Sequence, residues 1–306
     1  MDPDGVPPAS PGAAPPPRPR RGPRFGLGEE GTRSASIAVA STVIVFGLLA
    51  AVIVNSTGWP RFQQAFFNGP IFWESLPRLI EKFWVNVRLF LIAEALILVF
   101  AMLLALLRSV PGPVFTPLRI MATVYVDVFR ALPGVLVILV LGIGIPALRI
   151  EGLPADEFFW GVIALTLIYS AYVSEVYRAG INSVHASQSA AARSLGLSQL
   201  QTMRHVVVPQ AIRRVIPPLL NDFIGLQKDT VLVSFIGVVE VFRQTQIISS
   251  AKFNFTPYVA TGLIFLLVTI PMARFTDWLI AREQRRGYGI VTAGADPGRR
   301  GAGGVL

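Results

Sequence analysis

The sequence predicts an all-α membrane protein: six transmembrane helices, with one structured polar loop between the fourth and the fifth. Three observations carry that expectation. Of 306 residues, 53% are hydrophobic and 15% charged, with a mean hydropathy of +0.58, whereas a soluble domain carries about 25% charged residues. The apolar residues gather into runs close to the ~20 residues that cross a bilayer as a helix. The long polar interruption at 189–209, SAAARSLGLSQLQTMRHVVVP, carries helix-capping signals of its own.

Taken in chain order, residues 1–33 are dominated by Pro, Gly, Ala and Arg. Such a segment buries too little apolar surface to offset its ordering entropy, so a disordered N-tail is expected. The run at 35–54 is 20 residues long, too long for a signal-peptide core and sufficient to span. The second run, 85–107, is entered through Asn86 and Arg88, which leaves 34–84 as a first helix and an external loop. The third, 120–148, is interrupted by Pro133 and by the glycines of LGIGIP. The fourth and sixth are 158–176 and 258–280. The fifth, 216–239, has Pro217 and Pro218 in its expected first turn, where a missing N–H costs nothing. Residues 286–306 read as a disordered C-tail.

The net charge of +9 admits nucleic acid or anionic lipid as a partner, so the placement of the charges decides. With both termini cytoplasmic, the N-tail, the 108–130 region, the central loop and the C-tail carry eighteen arginines against seven basic residues outside. That is the positive-inside bias of a multi-pass membrane protein, and it accounts for the basic balance through topology. The chain lacks cysteine, which excludes disulfides, thiolate metal sites and cysteine nucleophiles, and it has only His185 and His205. Lys82, Lys228 and Lys252 are its only lysines, and none stands in a G-x4-G-K-[ST] loop. That leaves no phosphate cradle of this kind, and no catalytic grouping stands out.

Within the central loop, SQSAAARSL is built of good helix formers. Gly196 supplies a left-handed cap, and Ser198 with Gln201 three residues on forms a capping box. Pro209 is expected to stop the second helix. The result is two short helices around a tight corner, exposing Arg193, Gln199 and Arg204. Two further readings stand beside a partner-docking loop: a DNA-reading helix-turn-helix on a membrane anchor, and a bland capped loop. Against the first, both flanks run into spans and no third helix is left to pack.

The spacing Ala190-Ala191-Ala192, three residues, Gly196, nine residues, Val206-x-Val208-Pro209 resembles the EAA-x3-G-x9-I-x-L-P signature of the membrane subunits of bacterial ABC importers. Three longer stretches resemble the polar amino acid permease subfamily: YVDVFRALPGVLV at 125–137, AYVSEVYRAGINSV at 171–184 with Glu175, Arg178 and Gly180, and VVVPQAIRRVIPPLLNDFIGLQKDTVLVSFIGVVE at 206–240. The likeness covers about 84–285 and implies the type I importer permease fold, with a transmembrane domain at 85–285 in the bacterial plasma membrane. It implies ATP and Mg bound by separate ATPase subunits rather than by this chain, which is then not itself an enzyme. An extracytoplasmic substrate-binding protein, a second permease subunit and the lipid bilayer complete the expected partners, with no nucleic acid. Ala190, Ala191, Ala192, Arg193, Gly196, Leu197, Ser198 and Pro209 would form the ATPase-coupling loop. The sequence departs from the signature at Ala190, which replaces its acid, and at His185 and Ser187, which replace the usual Pro and Gly. A secondary transporter or channel driven by an ion gradient is the alternative of another class, and it predicts inverted repeats.

Ionisable residues inside spans are costly and mark packing pairs or the substrate route. Glu94 lies in the second span, Asp222, Lys228 and Asp229 in the fifth, and Arg274 and Asp277 in the sixth. The last two stand three apart and are expected to pair with each other. Glu94, Lys228, Asp229 and Thr230 are the candidates for the substrate pathway. A zwitterionic amino acid would suit them, with Glu94 and Asp229 nearest its amine and Lys228 nearest its carboxylate.

Overall fold

The computed structural model describes residues 29–110 and 112–293, with side chains over 34–110 and 112–282. The chain divides into two compact units, one up to Pro60 and one from Arg61. In the first unit, α1 (Glu29–Val54) is a single 26-residue helix whose 34–54 face is exposed all round, as suits a helix bathed in lipid. It begins inside the tail expected to be disordered; residues 1–28 lie outside the description.

α2 (Trp59–Phe66), a short amphipathic helix, starts just before the second unit begins, and α3 (Gly69–Ser109), within that unit, runs for 41 residues. Asn68 caps α3 by accepting from the Ile71 N–H at 3.1 Å, with Pro70 in the first turn. At 1.5 Å per residue α3 is about 60 Å long, roughly twice the hydrocarbon core. The expected span 85–107 is therefore the second half of a longer rod. Its first half packs Phe72, Leu76, Leu79 and Phe83 against Val241, Ile248, Ala260 and Ile264; these residues of α3 fall in the 34–84 region, expected as a first helix and an external loop.

The third expected span is broken. α4 (Thr116–Ala131) and α5 (Gly134–Leu139) meet at a 108° bend, where Pro133 offers no N–H to continue the ladder. A π-helical turn, Val140–Gly144, then leads into α6 (Ile145–Ala147). α7 (Glu157–Asn182) is the centre of the bundle. Asp156 caps it through the Phe159 N–H at 2.7 Å. Its Trp160, Leu165, Ile168 and Val173 join Leu89, Ile97, Ile138 and Leu226 in the main core.

After α7 come α8 (Ala186–Ser194), α9 (Gln199–Thr202), a π turn (Met203–Val207) and α10 (Val208–Asp229). Two proline expectations fail here. Pro209 does not stop the helix: the wider π turn just before it takes up the ring and the missing N–H, and the chain continues helically to Asp229. Pro217 and Pro218 sit inside α10 instead of opening it, a break in the ladder that membrane helices tolerate. The fifth span is also bent, by 55°, through a 3₁₀ segment, Thr230–Ile236, into α11 (Val241–Lys252). α12 (Thr256–Ala293) closes the described chain and runs past the expected start of the C-tail; 294–306 lie outside the description. Among the described residues, four helices are long and apolar enough to cross a membrane, or up to six if each bent pair is one span.

Candidate functional site

The loop between α7 and α10 is built as its caps require. The Leu197 N–H donates to the Ala192 carbonyl at 3.2 Å and the Gly196 N–H to the Arg193 carbonyl at 2.9 Å, the paired bonds of a Schellman motif. Gly196 stands at φ +87°, where a side chain would be strained. Ser198 and Gln201 then close a reciprocal capping box, with bonds of 2.8 and 3.3 Å. His185 caps α8, its Nδ1 accepting from the Ser187 N–H at 3.3 Å, so the departures at 185 and 187 make a local cap. Ala192, Thr202 and Val207 are buried in the knob. Ala190, Ala191, Arg193, Ser198, Gln199, Arg204 and Pro209 are exposed, and Leu197 is half-buried. At the tips, Leu195 and Leu200 are 82% and 78% exposed.

The knob is tied to the bundle. An Arg214 guanidinium N–H donates to the Ser183 carbonyl at the end of α7. Gly180 lets α10 come close: a Cβ there would collide with Val215 Cγ2. Arg108 at the end of α3 pairs with Glu175 of α7, and Arg178 lies 3.9 Å from the same Glu175 oxygen. The resemblance pointed to Glu175, Arg178 and Gly180; Arg108 is their unexpected partner.

Among the described residues no ion pair joins the interior candidates to one another. Asp229 accepts from the Tyr169 hydroxyl of α7 at 2.7 Å. Lys228, its neighbour in sequence, is exposed and borders a cavity beside α11 and α12. Thr230 is fully buried, donating to the Gln227 carbonyl at 2.8 Å and accepting from Asn86. Glu94 is half-buried with Asp222 as its electrostatic neighbour. Among the described residues no ion pair engages Glu94, Asp222 or Lys228. Arg274 and Asp277 do pair, at 3.8 Å.

Sequence reasoning missed a buried polar network. Asn86 Nδ2 donates to Thr230 Oγ1 at 3.0 Å and to Glu240 Oε2 at 2.9 Å. Glu240 is fully buried and also caps α11 through the Phe242 and Arg243 N–H groups. The available signal was an acid immediately before a helical stretch, a capping pattern.

A helical bundle with two broken spans, a capped polar knob and charges in its interior defines a membrane permease. The chain belongs to the family described as binding-protein-dependent transport system inner membrane component, which matches residues 97–285, and it is the permease subunit of an ABC importer. It is 33% identical to the probable glutamine ABC transporter permease protein GlnM of Bacillus subtilis, over 71% of this chain and 99% of that one. It is 34% identical to the glutamate transport system permease protein GluC of Corynebacterium glutamicum, over 65% of this chain and 92% of that one. A solved structure, the crystal structure of an amino acid ABC transporter with histidines, matches with a TM-score of 0.62 at 31% identity, covering 67% of this chain and 94% of that chain.

Proposed function

We propose that this permease imports polar amino acids, with its pathway completed by a second permease subunit. An extracytoplasmic binding protein delivers the substrate, and ATP-binding subunits, which hold ATP and Mg, dock at the 186–209 knob. Both termini then lie in the cytoplasm, in agreement with the arginine bias. The observation that carries the reading is the knob itself: two helices locked by a Schellman corner and a capping box, with Leu195 and Leu200 bare at their tips. A rigid apolar-tipped projection suits a groove on a partner. Ala190 is exposed where the signature carries its acid, so shape and apolar contact carry the docking here. Relatives named for glutamine and glutamate support the substrate class.

The test is co-purification of the chain with candidate ATP-binding subunits, before and after Gly196→Trp. The substitution forces a bulky residue into a left-handed backbone, at about 1–2 kcal/mol, and sets an indole on the exposed corner. The expected result is loss of the ATPase from the complex with the permease still folded in the membrane. Equal recovery of the ATPase with both forms sinks the docking assignment.

A further inference from the structure

The first arm of the bent third span carries two charges on its outward face. α4 buries Ala122 and Val126 and leaves Val124, Asp127, Val128, Arg130 and Ala131 exposed. At about 3.6 residues per turn, Val124, Asp127, Val128 and Ala131 form one stripe, which Arg130 flanks. Asp127 and Arg130 stand three apart, the spacing at which Arg274 and Asp277 pair at 3.8 Å. None of the ion pairs among the described residues includes Asp127 or Arg130. The Arg130 guanidinium turns instead toward α7, where it lies over the Tyr172 ring at 6.0 Å. Charges within a span are costly against lipid, and they face a partner or water. Past the bend the exposed face continues through Leu132, Leu136 and Val140, which border an apolar recess of about 180 Å³. Both signs of charge thus stand beside an apolar strip, the make-up of a contact between membrane helices.

We infer that this face is the contact between two copies of this chain, in which Asp127 of each copy pairs with Arg130 of the other. This rests on the importer reading above and names the second permease subunit as an identical chain. A two-fold contact puts the same patch on both sides, so that two residues which meet across it meet twice. A face carrying both signs is complementary to itself under that symmetry, whereas a non-identical partner would need only one sign here. An axis along the membrane normal keeps every residue at the depth of its copy. Asp127 and Arg130 then differ in height by three residues, about 4.5 Å along α4, which their side chains span. The leucines beyond the bend pack against those of the other copy and keep water from the paired charges.

The test uses full-length chains bearing two different tags, expressed together without ATPase subunits so that nothing else bridges the copies. One tag is captured from solubilised membranes and the other is quantified. Wild type is expected to recover wild type. Asp127→Arg with itself, and Arg130→Asp with itself, set like charges together at both symmetry-related contacts, and recovery is expected to fall about tenfold or more. Asp127→Arg expressed with Arg130→Asp restores opposite charges at both contacts. That mixed pair is expected to be recovered like wild type, which also shows that both variants fold. Single variants that recover themselves as wild type does overturn the assignment, and so does a mixed pair no better than the single ones. A wild type that does not recover itself overturns it in favour of a related, non-identical subunit. As a second measurement, Ala131→Cys supplies the only thiol in a cysteine-free chain. A short bismaleimide is expected to join two copies through it in membranes, and failure to do so overturns the assignment whatever the charge variants do. None of these measurements involves transport. A wild type that pairs in this pattern but supports no ATP-dependent uptake of glutamine, glutamate or arginine therefore upholds the contact and removes the importer reading.

Discussion

Asn86, 2% exposed, commits its whole side-chain amide to the segment where α10 gives way to α11. Its Nδ2 reaches Thr230 at the start of the 3₁₀ segment and Glu240 at the cap of α11, and its Oδ1 accepts from the Val241 N–H at 3.1 Å. Removing one partner of a buried hydrogen bond costs about 1–3 kcal/mol, and more when the orphan is charged. Asn86→Ala is therefore expected to lower the thermal midpoint of the purified protein, and Asn86→Asp to lower it further by setting a second carboxylate against Glu240. Tryptophan fluorescence on heating reads both; a midpoint unmoved in Asn86→Ala removes the clamp. Nothing in the sequence near Asn86 announces this role, because its partners stand 144 and 154 residues away. Gly196 is the opposite case. Its need for positive φ is local, set by the helix that ends before it and the capping box that follows, and so it was readable from the residues alone.

At the level of elements, the helices themselves were legible from apolar runs, and their breaks were only partly so. Pro133 correctly marked a bend, because no turn before it absorbs the lost N–H. Pro209 misled, because the π turn at Met203–Val207 does absorb it, and a five-residue change of winding leaves no mark in composition. The crossing of α7 and α10 was half legible: Gly180 stood in a family-like stretch, but its contact, Val215, lies 35 residues on, on another helix. Gly180→Ala puts a methyl where Val215 Cγ2 stands and 3.3 Å from the Ala211 carbonyl. Overpacking of this kind costs about 1–3 kcal/mol. The expected outcome is a less stable protein whose stability returns substantially in the double variant Gly180→Ala with Val215→Ala. A double variant no better than the single one would place the strain against the backbone carbonyl instead.

For the whole molecule, orientation is the property on which every partner assignment depends. The knob at α8–α9 and the corner joining α11 to α12 are separated along the chain by α10 and its bent continuation. That corner is a built surface of its own. The Phe255 N–H donates to the Ala65 carbonyl at 2.7 Å, Asn254 Nδ2 to the Gln64 carbonyl at 2.8 Å, and Lys252 pairs with Glu74 at 2.6 Å. Phe253 projects from it 94% exposed, in a left-handed conformation at φ 48°. If the arginine bias sets the topology, Leu195 faces the cytoplasm and Phe253 the outside. The absence of cysteine makes this directly measurable, since a single introduced thiol is the only one in the chain. In intact cells, a membrane-impermeant maleimide is expected to label Phe253→Cys and to leave Leu195→Cys unlabelled until the membrane is opened. The reverse pattern would put the knob on the face where no ATP is available, and ATPase docking at 186–209 would have to be abandoned.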